Sequence, residues 1–473
     1  MMNVARMVFP GFWFDKTPEE EALKLASLGV GGFCLYGGTR TAVATLTRKL
    51  RAASPLQRIL IAADYEDGLG RWLPDADLLP SNLAIGATDS EELAFEKGFI
   101  TAREAMSVGV DWVFAPVVDL ANNPGNPIVN TRSFGSDPQQ VTRLAGAFIR
   151  GLHQGGVLSC LKHFPGHGNT TTDSHLELPV VAETAASLKS HALVPFQALL
   201  SQADSVMIGH LLVPTLDGQN PASLSKIIVH DLLQQRMGFT RCVCTDALLM
   251  KALGNEKEAA LQALDAGAHI LLVPEKPFEL ISFLQKQVFP DDMLKNIERI
   301  LNELCAQADE LAITSKKGPI APTDFAMRTA RRAIVQQGFI PAISPGETLH
   351  CLEIGNDENI SSAPFFDTLR AYGVVTEPFK NEEVEYLLIL FWRRYKPFSG
   401  RIGLTAQEIN VIKTAVKYAQ HTVLLCFANP WMASNIPAEG TLFAFSPSPV
   451  FQQAVAECLM DEFTPTGTLP IKL

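Results

Sequence analysis

The segment Lys162-His163-Phe164-Pro165-Gly166-His167-Gly168, followed by Asp173-Ser174-His175, gathers an amine, three of the ten histidines and a carboxylate into one Gly- and Pro-rich run. It follows the apolar run 157–161, which reads as a buried strand, so the charges begin where the chain leaves a core. Titratable groups are costly to bury, and simple connectors are seldom so dense in them. This loop is built to bind or to react. Asp173 can hydrogen-bond the imidazole of His175, fix its tautomer and raise its basicity, which would let His175 deliver and recover a proton. The same pair also suits an Asx-turn beside an exposed histidine.

His163 and His167 have the spacing of zinc ligands on a helix, but Pro165 and Gly166 deny that helix continuity and no third ligand is placed. Lys162 and His163 at a strand end suit hydrogen bonding to a polar ligand better, and His167 shapes the loop. No metal ion and no cofactor is called for. Asp246 ends the run Cys242-Val243-Cys244-Thr245. It can cap a following helix, or, beside the histidine loop, attack or stabilise an electron-poor carbon. Asp64, Glu66 and Asp67 crowd another strand end; Asp64 is read as the ligand contact and Glu66 as structural. Arg132, after the turn-rich stretch 122–127, is a ligand clamp or a surface arginine. His210 either lines the same mouth or is a buried, hydrogen-bonded histidine. Pro221-Ala222-Ser223-Leu224-Ser225 reads as a turn and cap without chemistry of its own.

The elements that must position these groups alternate in type. Strands are expected at 6–9, 31–35, 59–63, 112–115, 157–161, 205–208, 241–244 and 270–273. Helices are expected at 18–28, 44–52, 91–107, 138–154 and 185–200, with Gly109, Gly155 and Gly267 as left-handed C-caps. Strand alternating with helix predicts a (β/α)₈ barrel over residues 1–306, and polar residues following strand after strand place one site at its mouth. A linker is expected at 307–323. A smaller α/β domain follows over 324–473, with a helix at 326–336 capped by Asp324, strands at 350–354, 386–391 and 422–427, and a helix at 406–419.

Composition narrows the function class. The 473 residues are 47% hydrophobic and 19% charged, ample for a large core, and the net charge of −11 argues against nucleic acid or anionic membrane as partner. Arg6 and Pro10 interrupt what would be the apolar part of a secretory signal, and no apolar stretch is long enough to span a bilayer. The eight cysteines are scattered, mostly in apolar runs, as buried thiols rather than a disulfide framework. A soluble, cytoplasmic protein is expected; oligomeric state is left open.

Together, Asp64-Tyr65-Glu66, Arg132-Ser133-Phe134, the 162–168 loop, Asp173-Ser174-His175, Gly209-His210, the 221–225 turn and Thr245-Asp246-Ala247-Leu248 resemble, in order, the family-3 glycoside hydrolases of the β-N-acetylglucosaminidase branch. Gly467-Thr468-Leu469-Pro470 resembles the end of that family's second, α/β sandwich domain. The resemblance implies a retaining hydrolase of terminal β-linked N-acetylglucosamine, with peptidoglycan fragments as substrates. Asp246 would be the nucleophile and His175, oriented by Asp173, the general acid and base. Asp64, Arg132, Lys162 and His163 would bind sugar hydroxyls, with His210 beside them. Asp67 stands where the family usually has Gly, and Asn169 where it often has Asp. Phosphorolysis, β-glucoside cleavage and non-catalytic sugar binding are the alternatives.

Overall fold

A computed structural model of the chain describes residues 2–171, 177–250, 253–355, 360–393 and 403–473. Its first part is a ring of parallel strands: β1 (Val8–Phe9), β2 (Gly11–Trp13), β3 (Gly32–Tyr36), β4 (Leu60–Ala63), β5 (Trp112–Val113), β6 (Cys160–Phe164), β7 (Ser205–Ile208), β8 (Cys242–Thr245) and β9 (Leu271–Leu272). Pro10 has no N–H to give a ladder and splits the first strand into β1 and β2. The halves then serve opposite neighbours: Val8 pairs with Leu271 of β9, and Gly11 with Cys34 of β3. Parallel bridges Trp112↔Leu158 and Cys244↔Ile270 complete the circuit. β4 is apolar and buried along its whole length, which is what a parallel strand covered by helices requires. Trp112 fills the interior, meeting Phe9 and Phe114 edge-on at 6.0 and 4.9 Å.

Helix Glu91–Ser107 has the expected bounds, and Pro138–Gly155 extends one residue beyond them. Its left-handed cap is Gly156 (φ +105°) rather than Gly155, which stays helical and lies against Ala102. The helix expected at 185–200 is two, Ala185–Ser190 and Leu193–Leu199. Pro195 has no N–H for the carbonyl of His191 and crowds it, so the break falls one turn upstream. Helix Asp291–Thr314 runs well into the expected linker, and the next helix starts at Pro322, leaving 315–321 irregular. Asp324 lies within the first turn of helix Pro322–Ala333; the capping position is Ala321.

The second part is built on β10 (Val335–Gly338), β11 (Thr348–Ile354), β12 (Val375–Pro378), β13 (Val384–Phe391), β14 (Ala419–Cys426) and β15 (Gly440–Phe443), in the order β10-β15-β14-β13-β11-β12. Only the β10–β15 pair is antiparallel among the described ladders. The helix expected to reach 336 stops at Ala333, because the chain turns into edge strand β10. The apolar core of this part runs on into the barrel, where Leu83, Ala84 and Ala87 of helix Asn82–Thr88 join it. Hydrogen bonds stitch the seam: Asn429 Nδ2 to Asn130 Oδ1 (3.0 Å), Ser81 Oγ to the Phe445 carbonyl (3.2 Å) and Ser136 N to the Pro470 carbonyl (2.8 Å). No helix among the described residues is long and apolar enough to cross a membrane.

Candidate active site

At the C-terminal ends of the strands a cavity of roughly 930 Å³, including space open to solvent, is lined by Asp64, Arg132, Lys162, His163 and Asp246. Asp64, Lys162, His163 and Asp246 were singled out by type and strand-end position and Arg132 by its place after a turn-rich stretch, and the barrel brings all five together. Asp64 follows β4, Lys162 and His163 lie on β6, and Asp246 follows β8. Lys162 is buried, and its Nζ lies 2.6 Å from both Asp64 Oδ1 and Glu66 Oε1. Burial opposes its charge, but the two carboxylates outweigh that and raise its pKa.

Glu66 does more than the structural part expected of it. Its carboxylate accepts two bonds from Arg132, Nε at 2.9 Å and Nη2 at 2.6 Å, while also pairing with Lys162. Burial alone would raise its pKa, yet Arg132, Lys162 and Arg71 hold it well below the usual carboxylate range. One fully buried anion thus aligns two cations on the cavity wall. Asp67 lies outside this cavity and pairs instead with buried Lys97 (2.9 Å) and with Arg71 (3.4 Å).

Asp119 organises the histidine loop. Its Oδ2 accepts from the backbone N (3.1 Å) and pairs with Nδ1 (2.7 Å) of His163, and its Oδ1 accepts from His167 N (2.6 Å). Burial opposes this charge too, but His163 and His167 draw the pKa down. Asn126 donates to the carbonyls of His167 (2.7 Å) and Gly168 (3.1 Å). Gly168 is required by contact: a Cβ there would stand 2.0 Å from the Leu120 carbonyl oxygen. Asp119 was missed, although an acid in the apolar run Val117-Val118-Asp119-Leu120 after a strand is the signal that marked Asp64 and Asp246.

Asp246 does not cap a helix. Turn residues follow it, and among the described residues the next α-helix begins at Glu256 with Asn255 as its cap. Its Oδ1 accepts from Ala247 N at 2.8 Å, and its own N–H bonds the Ile208 carbonyl. His210 is not among the residues lining the cavity and takes the other expected place, that of a buried, hydrogen-bonded histidine. It is buried, with Nε2 3.1 Å from the Ala247 carbonyl and Nδ1 2.7 Å from Ser223 Oγ. The carbonyl can only accept, so Nε2 carries the proton and Ser223 donates to Nδ1. The 221–225 turn, read as inert, therefore supplies the hydroxyl that orients a brace behind Asp246. Asp173 and His175 lie outside the described residues.

An aromatic wall completes the cavity and was not read from the sequence. Trp13 stacks on Tyr36 at 4.9 Å, and Tyr36 meets Trp72 edge-on at 5.2 Å. Trp72 Nε1 donates to the Asp64 carbonyl (3.1 Å), tying that wall to the charged one. Aromatic faces beside convergent charged donors and acceptors suit a ligand with apolar C–H faces and many hydroxyls. Among the described residues there is no group of three or more His, Cys, Asp or Glu able to hold a metal ion.

The glycosyl hydrolase family 3 N-terminal domain matches residues 2–302. A β-hexosaminidase of Tolumonas auensis is 36% identical over 254 residues, covering 51% of this chain and 75% of the relative. One of Neisseria meningitidis serogroup C is 30% identical over 353 residues, covering 71% and 93%. Among solved structures, a glycoside hydrolase family 3 β-N-acetylglucosaminidase from Paenibacillus sp. FPU-7 superposes with a TM-score of 0.85 at 23% identity, over 99% of this chain and 98% of that one. That likeness carries the fold.

Proposed function

The chain belongs to glycosyl hydrolase family 3, and on that premise we propose that it is a retaining exo-β-N-acetylglucosaminidase, acting in the cytoplasm on carbohydrate such as peptidoglycan fragments. The catalytic unit is the barrel, 1–306, buttressed by 324–473. Asp246 attacks the anomeric carbon and forms a glycosyl ester. His175, oriented by Asp173, protonates the departing oxygen and then takes a proton from the water that breaks the ester. Asp64, Arg132, Lys162 and His163 hold sugar hydroxyls.

The observation that carries this reading is Asp246 opening onto the same cavity as those four residues. A histidine as proton donor is supported by what the neighbouring carboxylates already do. Glu66 and Asp119 are held ionised by their partners, and Asp64 is engaged by Lys162. Ionised Glu66 and Asp119 have no proton to donate, whereas an imidazole titrates near neutral pH and adds no second negative charge beside the ester.

The test is cleavage of 4-nitrophenyl β-N-acetylglucosaminide with retention at the anomeric carbon. Asp246→Ala should slow it roughly 10³-fold or more. Cleavage by the variant as fast as wild type would overturn the mechanism. Running the assay with phosphate separates hydrolysis from phosphorolysis, since the latter yields a sugar 1-phosphate. A β-glucoside run in parallel reads selectivity at carbon 2.

A further inference from the structure

His167 was expected to shape its loop, yet it lines the cavity and its Nε2 is buried without a hydrogen-bond partner. The other end of the ring is fully committed. Nδ1 lies 2.8 Å from Thr170 Oγ1, and that hydroxyl donates to the His167 carbonyl (3.1 Å). The Thr170 proton is thus spent on the carbonyl, and Oγ1 also receives Asn126 Nδ2 (3.2 Å). With the hydroxyl so directed, Nδ1 is assigned the ring proton and Nε2 is left as a bare lone pair. Burial and neighbouring His163 push its pKa down to about 4, so it stays an acceptor at neutral pH. The ring lies edge-on to His163, 5.8 Å between centroids, and lines the same cavity as Asp246.

From these contacts we infer that His167 is a specificity-determining residue whose Nε2 accepts a hydrogen bond from the substituent on carbon 2 of the sugar. The inference rests on Asp246 attacking carbon 1, because carbon 2 is then the nearest position that carries a donor. An acetamido N–H and a hydroxyl share that chemistry; a 2-deoxy sugar offers neither. An orphaned acceptor in a buried site penalises a ligand that fails to satisfy it.

The test compares wild type with His167→Phe, which keeps a ring and deletes the lone pair. Three 4-nitrophenyl substrates are used: the β-N-acetylglucosaminide, the β-glucoside and the 2-deoxy-β-glucoside. The expected result is a fall in kcat/KM of about 10- to 100-fold on the acetamido substrate, with less than about threefold on the 2-deoxy substrate. A matching fall on the glucoside identifies any donor at carbon 2 as the group read; a fall confined to the acetamide identifies its N–H. Equal losses on all three, or no loss, overturn the inference. If the Phe variant does not melt cooperatively, Thr170→Val is measured on the same substrates, since it frees the tautomer and should show the same selective loss. If wild type cleaves none of the three, the proposed activity fails separately. Calorimetric binding of N-acetylglucosamine and 2-deoxyglucose then reads His167, and loss of their contrast in the variant supports it while an unchanged contrast overturns it.

Discussion

Replacing Glu66 by Gln keeps the side-chain volume and one carbonyl oxygen but removes the charge that Arg132 and Lys162 share. Stripping a buried ion of its partner costs about 3–5 kcal/mol. Lys162 keeps Asp64 at 2.6 Å and Arg132 keeps the Ile128 carbonyl at 3.3 Å, which points to the lower end, about 3 kcal/mol. At about 2 °C per kcal/mol for a large domain, the melting point should fall by about 6 °C. Both cations would re-aim, and kcat/KM on the nitrophenyl N-acetylglucosaminide should fall by about 100-fold. Adding Arg132→Met removes one stranded charge and should recover part of the lost stability but none of the activity. The sign of the pH effect follows from the direction of the Glu66 shift. Its native pKa lies well below the ordinary 4.5, so its contribution is complete above that pH and is lost only as the pH falls through the lowered value. The gap between wild type and variant should therefore hold constant from pH 8 to pH 5. A variant melting within a degree of wild type, with kcat/KM unchanged, would refute the idea that Glu66 aligns the two cations.

Acid should destabilise the protein well above the carboxylate range. Burial is the first cause holding His167 and His269 neutral down to about 4, so between pH 6.5 and 4 the unfolded chain binds protons that the native one refuses. That amounts to about 2 kcal/mol per histidine by pH 5, read as a lower urea midpoint at pH 5 than at pH 7; equal midpoints would contradict it. Asn429→Ala deletes the inter-domain bond to Asn130, two residues from Arg132, and should cost about 1–2 kcal/mol. Its kcat/KM should drop severalfold through Arg132, and unchanged kinetics would reduce the second domain to a passive neighbour.

Much of the barrel was legible because its signals are local. Helix Glu91–Ser107 announces itself through the Ser90 cap and the two glutamates that follow, and β7 has the bounds expected of it. Asp64, Lys162 and Asp246 were legible for the same reason, each standing where an apolar run ends. What escaped was set by distance along the chain. Nothing near Glu66 reveals that it will meet Arg132 and Lys162, and Ser223 gains its use only once His210 packs against it. Trp13 and Trp72 read as ordinary aromatics until the barrel closes them into one wall. In the second domain, β10 and β12 escaped because an edge strand such as Val335-Gln336-Gln337-Gly338 exposes most of its side chains and carries little apolar pattern.

The cysteines give this molecule a set of internal clocks. All eight are free; Cys34, Cys242 and Cys244 are sealed in the barrel with thiols pushed far up, and Cys351 and Cys426 lie in the second domain with thiols near 12, burial being the first cause in each. A maleimide reacts with thiolate that solvent can reach, so these sulfurs should stay silent until their own layer opens. Peptide mass mapping over time would then record, from one sample, whether the two cores loosen together or one ahead of the other.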